Sequence, residues 1–158
     1  MNIFDKDPEL KSLLDYFMNI RDQRPTFDSF MNIIDESQDL ENARMKLVIR
    51  DDFVGNLIYR TLHGGLIAAV LDTAGGAAVF QHVYKKVKGK PREEQVKKIS
   101  KNATVDLRVD YLRPGAGNEF TATAWILRAG NKFAVTRMEL HNEEGVLIAV
   151  GTGMYAMG

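Results

Sequence analysis

One acidic side chain in this sequence has surroundings that suggest chemistry. Asp72 is the only ionisable residue in the apolar run GGLIAAVLDTAGGAAVFQ, which extends from Gly64 to Gln81. Removing an unpaired carboxylate from water costs free energy, so such a group is usually paired, protonated, or placed in a solvated cleft where it acts as a base or nucleophile. The residues alone leave two interpretations open: a catalytic carboxylate, or a structural aspartate bonded to backbone groups or to an arginine such as Arg108.

A glycine pair stands just before the same run, in Leu62-His63-Gly64-Gly65. Glycines at the start of a helix let a ligand carbonyl come close to backbone N–H groups, and the positive end of the helix dipole polarises that carbonyl. A plain tight turn into a helix uses the same residues at least as often. The motif therefore indicates an oxyanion site only in combination with Asp72.

Spacing limits how these two features can work together. Gly64 and Asp72 are eight residues apart, and this separation is about 12 Å along a helix axis. A base or nucleophile must lie close to the group that it attacks, so one helix cannot place both features on the same carbonyl. If both act, Asp72 must come from a neighbouring subunit, and a two-fold dimer would contain two equivalent sites.

The run that holds Asp72 predicts a helix from Gly64 to Gln81. It is apolar on every side and rich in alanine, so the helix must be enclosed by protein. A membrane span is the competing interpretation. It is disfavoured because the run is barely long enough to cross a bilayer and has an aspartate in its middle.

The segments around this helix have strand patterns. From Val105 to Tyr111 apolar and polar residues alternate until Pro114-Gly115, so one face of this strand should be core and the other wet. The four strands that follow the helix should form one antiparallel meander. Such a meander can bury one central apolar helix only by curling around it. We therefore expect the α+β class, with a curved antiparallel sheet wrapped around the helix. Strands are predicted at 44–50, 105–111, 120–127, 133–141 and 146–155.

The first 41 residues predict two short amphipathic helices. Pro25 should end the first, and Thr26 offers a side-chain cap for the second. The chain has 158 residues, the size of one ordinary domain. We expect a single domain over 1–158, with a helical extension at 1–41 and a core at 42–158.

Composition excludes several classes of site and partner. The chain contains no cysteine, which rules out disulfides, thiolate metal ligands and a cysteine nucleophile. His82 and His141 lack partners at metal-ligand spacing, so no metal site is expected. A net charge of zero argues against nucleic acid or an anionic membrane as the main partner. The absence of cysteine and of an export signal favours a cytoplasmic location.

Charge is unevenly distributed along the chain. Residues 1–41 hold ten acidic and four basic side chains, whereas residues 82–103 hold eight basic and two acidic ones. The basic segment 85–101, KKVKGKPREEQVKKISK, has no interleaved aromatic residues of the kind that bind nucleic acid. It is either a phosphate-binding surface or, as we favour, a solvated loop and helix.

Ordered motifs give the sequence a family resemblance. HGGLIAAVLD followed by TVDLRVDYLRPG closely resembles the PaaI-like branch of the hotdog-fold thioesterases. With FTATAWILRAGNK and ELHNEEG, the pattern is similar to the YigI-type acyl-CoA thioesterases over about residues 53–158. The resemblance implies a hotdog fold, a homodimer or homotetramer built as a dimer of dimers, and hydrolysis of medium- or long-chain acyl-CoA without a metal or redox cofactor.

The resemblance also assigns roles to individual positions. Asp72 matches the family's helix carboxylate, Gly64 the residue whose N–H polarises the carbonyl, and His63 the histidine that begins the HGG motif. Thr104 falls where relatives often have a serine or threonine that orients the attacking water. An ordinary strand threonine is an equally good interpretation of Thr104.

Asn56 is a less direct match. The family asparagine stands six residues before the histidine, where this chain has Leu57, whereas Asn56 stands seven before it. A one-residue bulge at Gly55 would restore the alignment.

Substrate contacts are expected from Gly65, Arg113 and Lys132, with the two cations directed at the phosphates of CoA. The N-terminal helices are expected to cover the acyl tunnel.

Water activated by Asp72 and direct attack by its carboxylate are both compatible with the residues. The rival functions are a hotdog dehydratase or hydratase, and an acyl-CoA-binding protein without turnover.

Overall fold

A computed structural model describes residues 2–23 and 26–157. Within these residues the chain consists, in order, of a helical N-terminal part, a segment of short strands, one long helix and a strand-rich C-terminal half. The helices are Ile3–Lys6 (α1), Pro8–Asp22 (α2), Phe27–Met31 (α3), Gly64–Val87 (α4) and Arg92–Ile99 (α5). The strands are Ile34–Asp35 (β1), Asn42–Val48 (β2), Val54–Asn56 (β3), Thr61–Leu62 (β4), Ala103–Tyr111 (β5), Glu119–Ala129 (β6), Phe133–Asn142 (β7) and Leu147–Ala156 (β8).

The central helix α4 is longer than its apolar run predicts, since it continues past Gln81 to Val87. The added turns bury Val83, Tyr84 and Val87, and Lys85 and Lys86 in the last turn suit the negative end of the helix dipole. By length and composition alone α4 resembles a membrane span, but 56% of its most apolar window is buried inside this fold. Burial of this kind is what a core helix requires.

Six strands form one antiparallel sheet in the order β1-β2-β6-β7-β8-β5. Helix α4 lies against β2, β5, β6, β7 and β8, so the sheet wraps around it, and the predicted hotdog arrangement is confirmed. Inward residues alternate along the strands, as the period of two requires. In β6 these are Phe120, Ala122 and Ala124, and in β7 they are Ala134, Thr136, Met138 and Leu140.

Strand β5 differs from its prediction in place and in burial. The meander covers only β6, β7 and β8, while β5 pairs with β8 and ends the sheet. Leu107 and Val109 pack against the core, but Val105 and Tyr111 are about half exposed, at 50% and 53%. The alternation is present, yet a single chain covers only part of the apolar face, and one edge of β5 has no partner strand within the described residues.

The N-terminal helices pack on the C-terminal half of α4. Leu10 and Leu13 of α2 are fully buried in one cluster with Val83 and Tyr84 of α4. Thr26 caps α3 through a reciprocal bond with Ser29, as its side chain suggested. Pro25, which was expected to end the preceding helix, lies outside the described residues.

The uneven charge distribution has a structural explanation in this region. Lys85 Nζ lies 2.6 Å from a Glu41 oxygen, and Lys88 Nζ lies 2.6 Å from Asp7 Oδ2. Arg92 donates to the Ser12 carbonyl at 2.9 Å, and the Gly89 N–H donates to Glu9 at 2.7 Å. Part of the basic segment therefore binds the acidic N-terminal extension.

Candidate active site

Two hydroxyl groups hold the carboxylate of Asp72. Thr104 Oγ1 lies 2.9 Å from Oδ1 and 3.2 Å from Oδ2, and the Tyr155 hydroxyl lies 3.0 Å from Oδ1. Arg108, the cation considered for a structural pair, bonds instead to Asp110 at 3.1 Å. Among residues 2–23 and 26–157, no lysine, arginine or histidine forms an ion pair with Asp72. The carboxylate is therefore hydrogen-bonded without being neutralised.

Tyr155 was not among the predicted site residues. It stands near the end of β8, is 1% exposed, and its hydroxyl reaches the side of α4 beside Asp72. Gly75 makes room for it, since a Cβ at that position would lie 2.2 Å from the Tyr155 oxygen. The period-two pattern of β8 could have placed the ring inside the sheet, but it could not have shown which helix residue the hydroxyl meets.

Asp72 faces an apolar cleft between α4 and the N-terminal part of the chain. The cleft has a volume of about 460 Å³ and joins a neighbouring space of about 400 Å³. Its apolar lining includes Phe4, Leu10, Leu14, Met18, Met45, Ala77 and Phe80. Asp35 also lines it, and burial raises the pKa of that carboxyl despite hydrogen bonds from Ser37, which favours its neutral form in these surroundings.

The start of α4 forms a second centre. His63 is the N-cap, and its Nδ1 accepts the Gly65 N–H at 2.9 Å, so Nε2 carries the hydrogen when the ring is neutral. The Gly64 carbonyl accepts from the Tyr111 hydroxyl at 2.9 Å. Within the described part of the chain, the Gly64 N–H has no hydrogen-bond acceptor. Gly64 thus offers a free donor, while the Gly65 N–H is occupied by the cap.

The two predicted cationic contacts lie in different places. Arg113 lines an open cleft of about 380 Å³ together with Gly64 and Tyr111, and it donates to the Leu147 carbonyl at 2.9 Å. Lys132 lies just before β7, and its carbonyl accepts from the Met157 N–H at 2.7 Å. In one chain Arg113 therefore belongs to the helix-start centre and Lys132 does not.

Asn56 and the bulge beside it organise the loop before β4. The β3–β4 register shifts between Val54 and Asn56, which makes Gly55 the bulged residue. A Cβ on Gly55 would lie 2.7 Å from His63 Cα, so glycine is required at this approach. Asn56 Oδ1 accepts from the N–H groups of Ile58 and Tyr59 at 3.0 and 3.2 Å, and it stabilises an exposed apolar loop.

The structure thus groups the predicted residues other than Lys132 into two centres. One contains Asp72, Thr104 and the unpredicted Tyr155. The other contains His63, Gly64 and Gly65 with Arg113, and Asn56 lies beside it. Because eight residues of continuous helix separate Gly64 from Asp72, a distance of about 12 Å, one chain does not bring the two centres together.

Comparisons with known proteins agree with this architecture. A family model described as the thioesterase superfamily matches residues 59–149. The medium/long-chain acyl-CoA thioesterase YigI of Escherichia coli strain K12 is 44% identical over 123 residues, covering 78% of this chain and 79% of that protein. The YigI of Salmonella typhimurium is 49% identical over 105 residues, covering 66% and 68% of the two chains.

A solved structure extends the likeness to nearly the whole chain. A Shewanella oneidensis protein described as related to the thioesterase superfamily superposes with a TM-score of 0.85 and 36% identity. It covers 96% of this chain and 99% of its own. The family match at 59–149 includes both Asp72 and Gly64, while Tyr155 and Asn56 lie outside it.

Proposed function

Because the chain belongs to the thioesterase superfamily, we propose that it hydrolyses the thioester bond of medium- to long-chain acyl-CoA, releasing a fatty acid and CoA. The observation that carries this proposal is the state of Asp72. Its carboxylate has two hydroxyl donors, no cationic partner within the described residues, and an apolar cleft in front of it. An uncompensated carboxylate at a substrate-sized cleft is typical of a base or nucleophile.

Two routes fit this geometry. In the first, Asp72 removes a proton from water as the water oxygen bonds to the thioester carbon, the C–S bond breaks, and the CoA thiolate leaves and is then protonated. In the second, a carboxylate oxygen attacks the carbon, the thiolate leaves, and water hydrolyses the resulting anhydride. Thr104 donates its hydrogen to Asp72, so its lone pairs remain available to accept a hydrogen bond from the water.

The free edge of β5 supports a two-fold dimer that completes the site. Strand β5 runs along α4 with Thr104 bonded to Asp72 at one end and Tyr111 bonded to Gly64 at the other. An antiparallel pair of β5 strands, crossing near Leu107 and Arg108, would place the Tyr111 end of one subunit beside the Thr104 end of the other. The free N–H of Gly64 of the partner subunit would then stand near Asp72.

Exposed apolar side chains also favour such a dimer, because unpaired strand edges and large apolar patches usually mark contacts. Leu57, Ile58 and Tyr59 are 86%, 87% and 76% exposed on the loop beside the helix start. Val105 and Leu112, near the two ends of β5, are about half exposed. Pairing of two such dimers into a tetramer and a cytoplasmic location stay predictions.

The same arrangement suggests where each part of the substrate binds. The acyl chain would occupy the cleft that runs from Asp72 along α4 under the N-terminal helices. Ala134 of β7, two residues after Lys132, pairs with Tyr155, and Tyr155 pairs with Thr104. Lys132 is therefore at the Asp72 end of the sheet. In the proposed dimer Arg113 of the partner subunit approaches that end, so both cations can contact the CoA phosphates.

A direct assay separates the proposed function from its rivals. Purified protein is incubated with acyl-CoAs of increasing chain length, and free CoA is measured with a thiol reagent. We expect repeated turnover that is greatest for medium or long chains. Saturable binding without release of CoA would indicate a binding protein, and consumption of enoyl-CoA without thiol release would indicate a hydratase.

A second experiment separates the two routes. One turnover is run in ¹⁸O-labelled water with enzyme in excess, and the fatty acid and the peptide that contains Asp72 are analysed by mass spectrometry. Label in the Asp72 carboxylate with unlabelled fatty acid would indicate an anhydride that water opens at Asp72. Label only in the fatty acid, together with no Asp72 adduct when hydroxylamine is added during turnover, would indicate activated water.

A further inference from the structure

We propose that Tyr155 is a positioning residue for this hydrolysis, and that with Thr104 it turns the Asp72 carboxylate so that Oδ2 is the reacting oxygen. This inference rests on the proposed function. No motif indicated Tyr155, and it lies outside the matched family segment 59–149.

The first step concerns where the Tyr155 hydrogen goes. A phenol has one hydrogen to donate, and three acceptors are near: Asp72 Oδ1 at 3.0 Å, the Asp72 carbonyl at 3.1 Å and Met138 Sδ at 3.7 Å. The carbonyl already accepts in the α4 hydrogen-bond ladder, and sulfur is a weak acceptor. The charged carboxylate makes the strongest hydrogen bond of the three, so the hydrogen points at Oδ1.

The second step concerns the difference between the two carboxylate oxygens. Thr104 is also closer to Oδ1, at 2.9 Å, than to Oδ2, at 3.2 Å. Oδ1 therefore receives both hydroxyl hydrogens, and Oδ2 keeps open acceptor positions. Turning the carboxylate about its χ2 angle would break both bonds, so the two hydroxyls hold it in one orientation.

The third step shows that the hydroxyl has a specific place in the core. The ring is 1% exposed, and a phenylalanine would fill the same volume without a polar atom to satisfy. A buried hydroxyl without a partner is costly, and here the partner is Asp72. Gly75 provides the clearance, because a Cβ there would be 2.2 Å from the hydroxyl oxygen and 2.5 Å from Met138 Sδ.

Tyr155 acts as a donor and not as the base. Burial, the charge of Asp72 and its hydrogen bond all raise the pKa of Tyr155 well above that of an ordinary phenol. The group therefore keeps its hydrogen throughout the working range of pH. Its contribution is to hold Asp72 in its orientation.

The chain offers a closely matched control in Tyr84. Its ring is also fully buried and lies in the same hydrophobic cluster, and its hydroxyl also donates to a carboxylate at 3.0 Å, that of Asp7. Tyr155→Phe and Tyr84→Phe each remove one such hydroxyl. Only Tyr155 contacts Asp72, so loss of stability is common to both variants while loss of catalysis should be specific to one.

The test compares kcat and KM of the two variants with one acyl-CoA. For Tyr155→Phe we expect kcat to fall about tenfold or more, the effect of losing one positioning contact, with little change in KM. For Tyr84→Phe we expect kcat and KM to match those of the unmodified protein.

A second substitution keeps the test informative if Tyr155→Phe does not fold. Thr104→Val removes the other hydroxyl that donates to Oδ1, at an exposed strand position, so kcat should fall with little change in KM, while Thr104→Ser keeps the hydroxyl and should retain most of kcat. The inference is overturned if the unmodified protein hydrolyses acyl-CoA while Tyr155→Phe keeps its kcat, or, where that variant does not fold, while Thr104→Val keeps it. Absence of hydrolysis in the unmodified protein would instead overturn the proposed function.

Discussion

Asp7 and Asp72 occupy two regions of the molecule that share a buried tyrosine partner and differ in their other contacts. Each carboxylate accepts a hydrogen bond of 3.0 Å from a buried tyrosine, Tyr84 for Asp7 and Tyr155 for Asp72. Asp7 also accepts from Lys88 Nζ at 2.6 Å and from the Leu10 N–H at 3.1 Å. Among residues 2–23 and 26–157, the one further donor to the Asp72 carboxylate is the hydroxyl of Thr104.

The difference explains why one carboxylate is structural and the other is available for chemistry. Burial alone would raise the pKa of Asp7, but hydrogen bonds from Lys88, Leu10 and Tyr84 hold that pKa below its usual value. Asp7 is 6% exposed and caps α2. Neutral donors orient Asp72 without neutralising it, and a cleft gives it access to a substrate. The Lys88 ammonium at Asp7 and the open cleft at Asp72 therefore distinguish these two carboxylate sites.

The largest expected effect comes from exchanging each carboxylate for an amide. Asp72→Asn should reduce kcat by about three orders of magnitude, the size of a lost base or nucleophile, and leave the thermal midpoint nearly unchanged. Asp7→Asn should leave kcat nearly unchanged and lower the thermal midpoint, because it weakens the contacts to Lys88 and Tyr84. Both are measured by CoA release and by thermal unfolding. A fully active Asp72→Asn variant would contradict the assignment.

The next effect tests the helix-start donor. Gly64→Pro removes the N–H at the first helical position, where proline is well tolerated, and His63 already has the extended backbone that precedes proline. We expect kcat to fall about a hundredfold, as for loss of one oxyanion donor.

Gly64→Ala is the matched control for that substitution. It keeps the N–H, and its Cβ would meet Tyr111 at an ordinary 3.5 Å. It should therefore retain most of the activity. Equal losses in the alanine and proline variants would show that shape at this position matters and the N–H does not.

A smaller effect is expected from narrowing the cleft. Ala77 lines it one turn and a half beyond Asp72, so Ala77→Leu should obstruct long acyl chains more than short ones. The ratio of kcat/KM for long over short substrates should fall about tenfold, within the range that a few methylene groups provide. An unchanged ratio would place the acyl chain elsewhere.

The smallest effect concerns acid stability. The pKa of Asp7 is lower in the folded chain than in the unfolded one, where it is about 3.9, so the unfolded state binds the proton more tightly. The contribution of Asp7 is present above that value and is lost as pH falls through the folded pKa. Between pH 7 and pH 3 the free energy of unfolding should fall further for the unmodified chain than for Asp7→Asn. Urea titrations at both pH values measure the difference.

Much of the fold and part of the site follow from the sequence. The apolar run around Asp72 predicted the central helix because a helix without a polar face must be enclosed, and alternation predicted the strands. Thr104 could be placed through the motif that contains it. The position of β5 beside β8 could not be predicted, because the period of two fixes which face of a strand is buried and not which strand lies next to it.

Contacts between distant segments account for what the sequence could not provide. Tyr155 meets Asp72 from 83 residues away, and no local pattern encodes that distance. Which part of the basic segment binds the acidic N-terminal extension was equally unpredictable, because Lys88 and Asp7 are 81 residues apart in the sequence. Gly75 was a visible sign, a glycine inside a helix, but only the structure shows that it makes room for a tyrosine hydroxyl.

Subunit complementation tests most directly the claim that two subunits share each site. Asp72→Asn and Gly64→Pro proteins, each with about one per cent of the unmodified activity or less, are mixed, dissociated and reassociated. In a two-fold dimer, random pairing gives half heterodimers with one intact site of two, so about a quarter of the unmodified activity should return. Activity that stays at the level of the separate variants, with heterodimers verified by mass, would contradict the shared site.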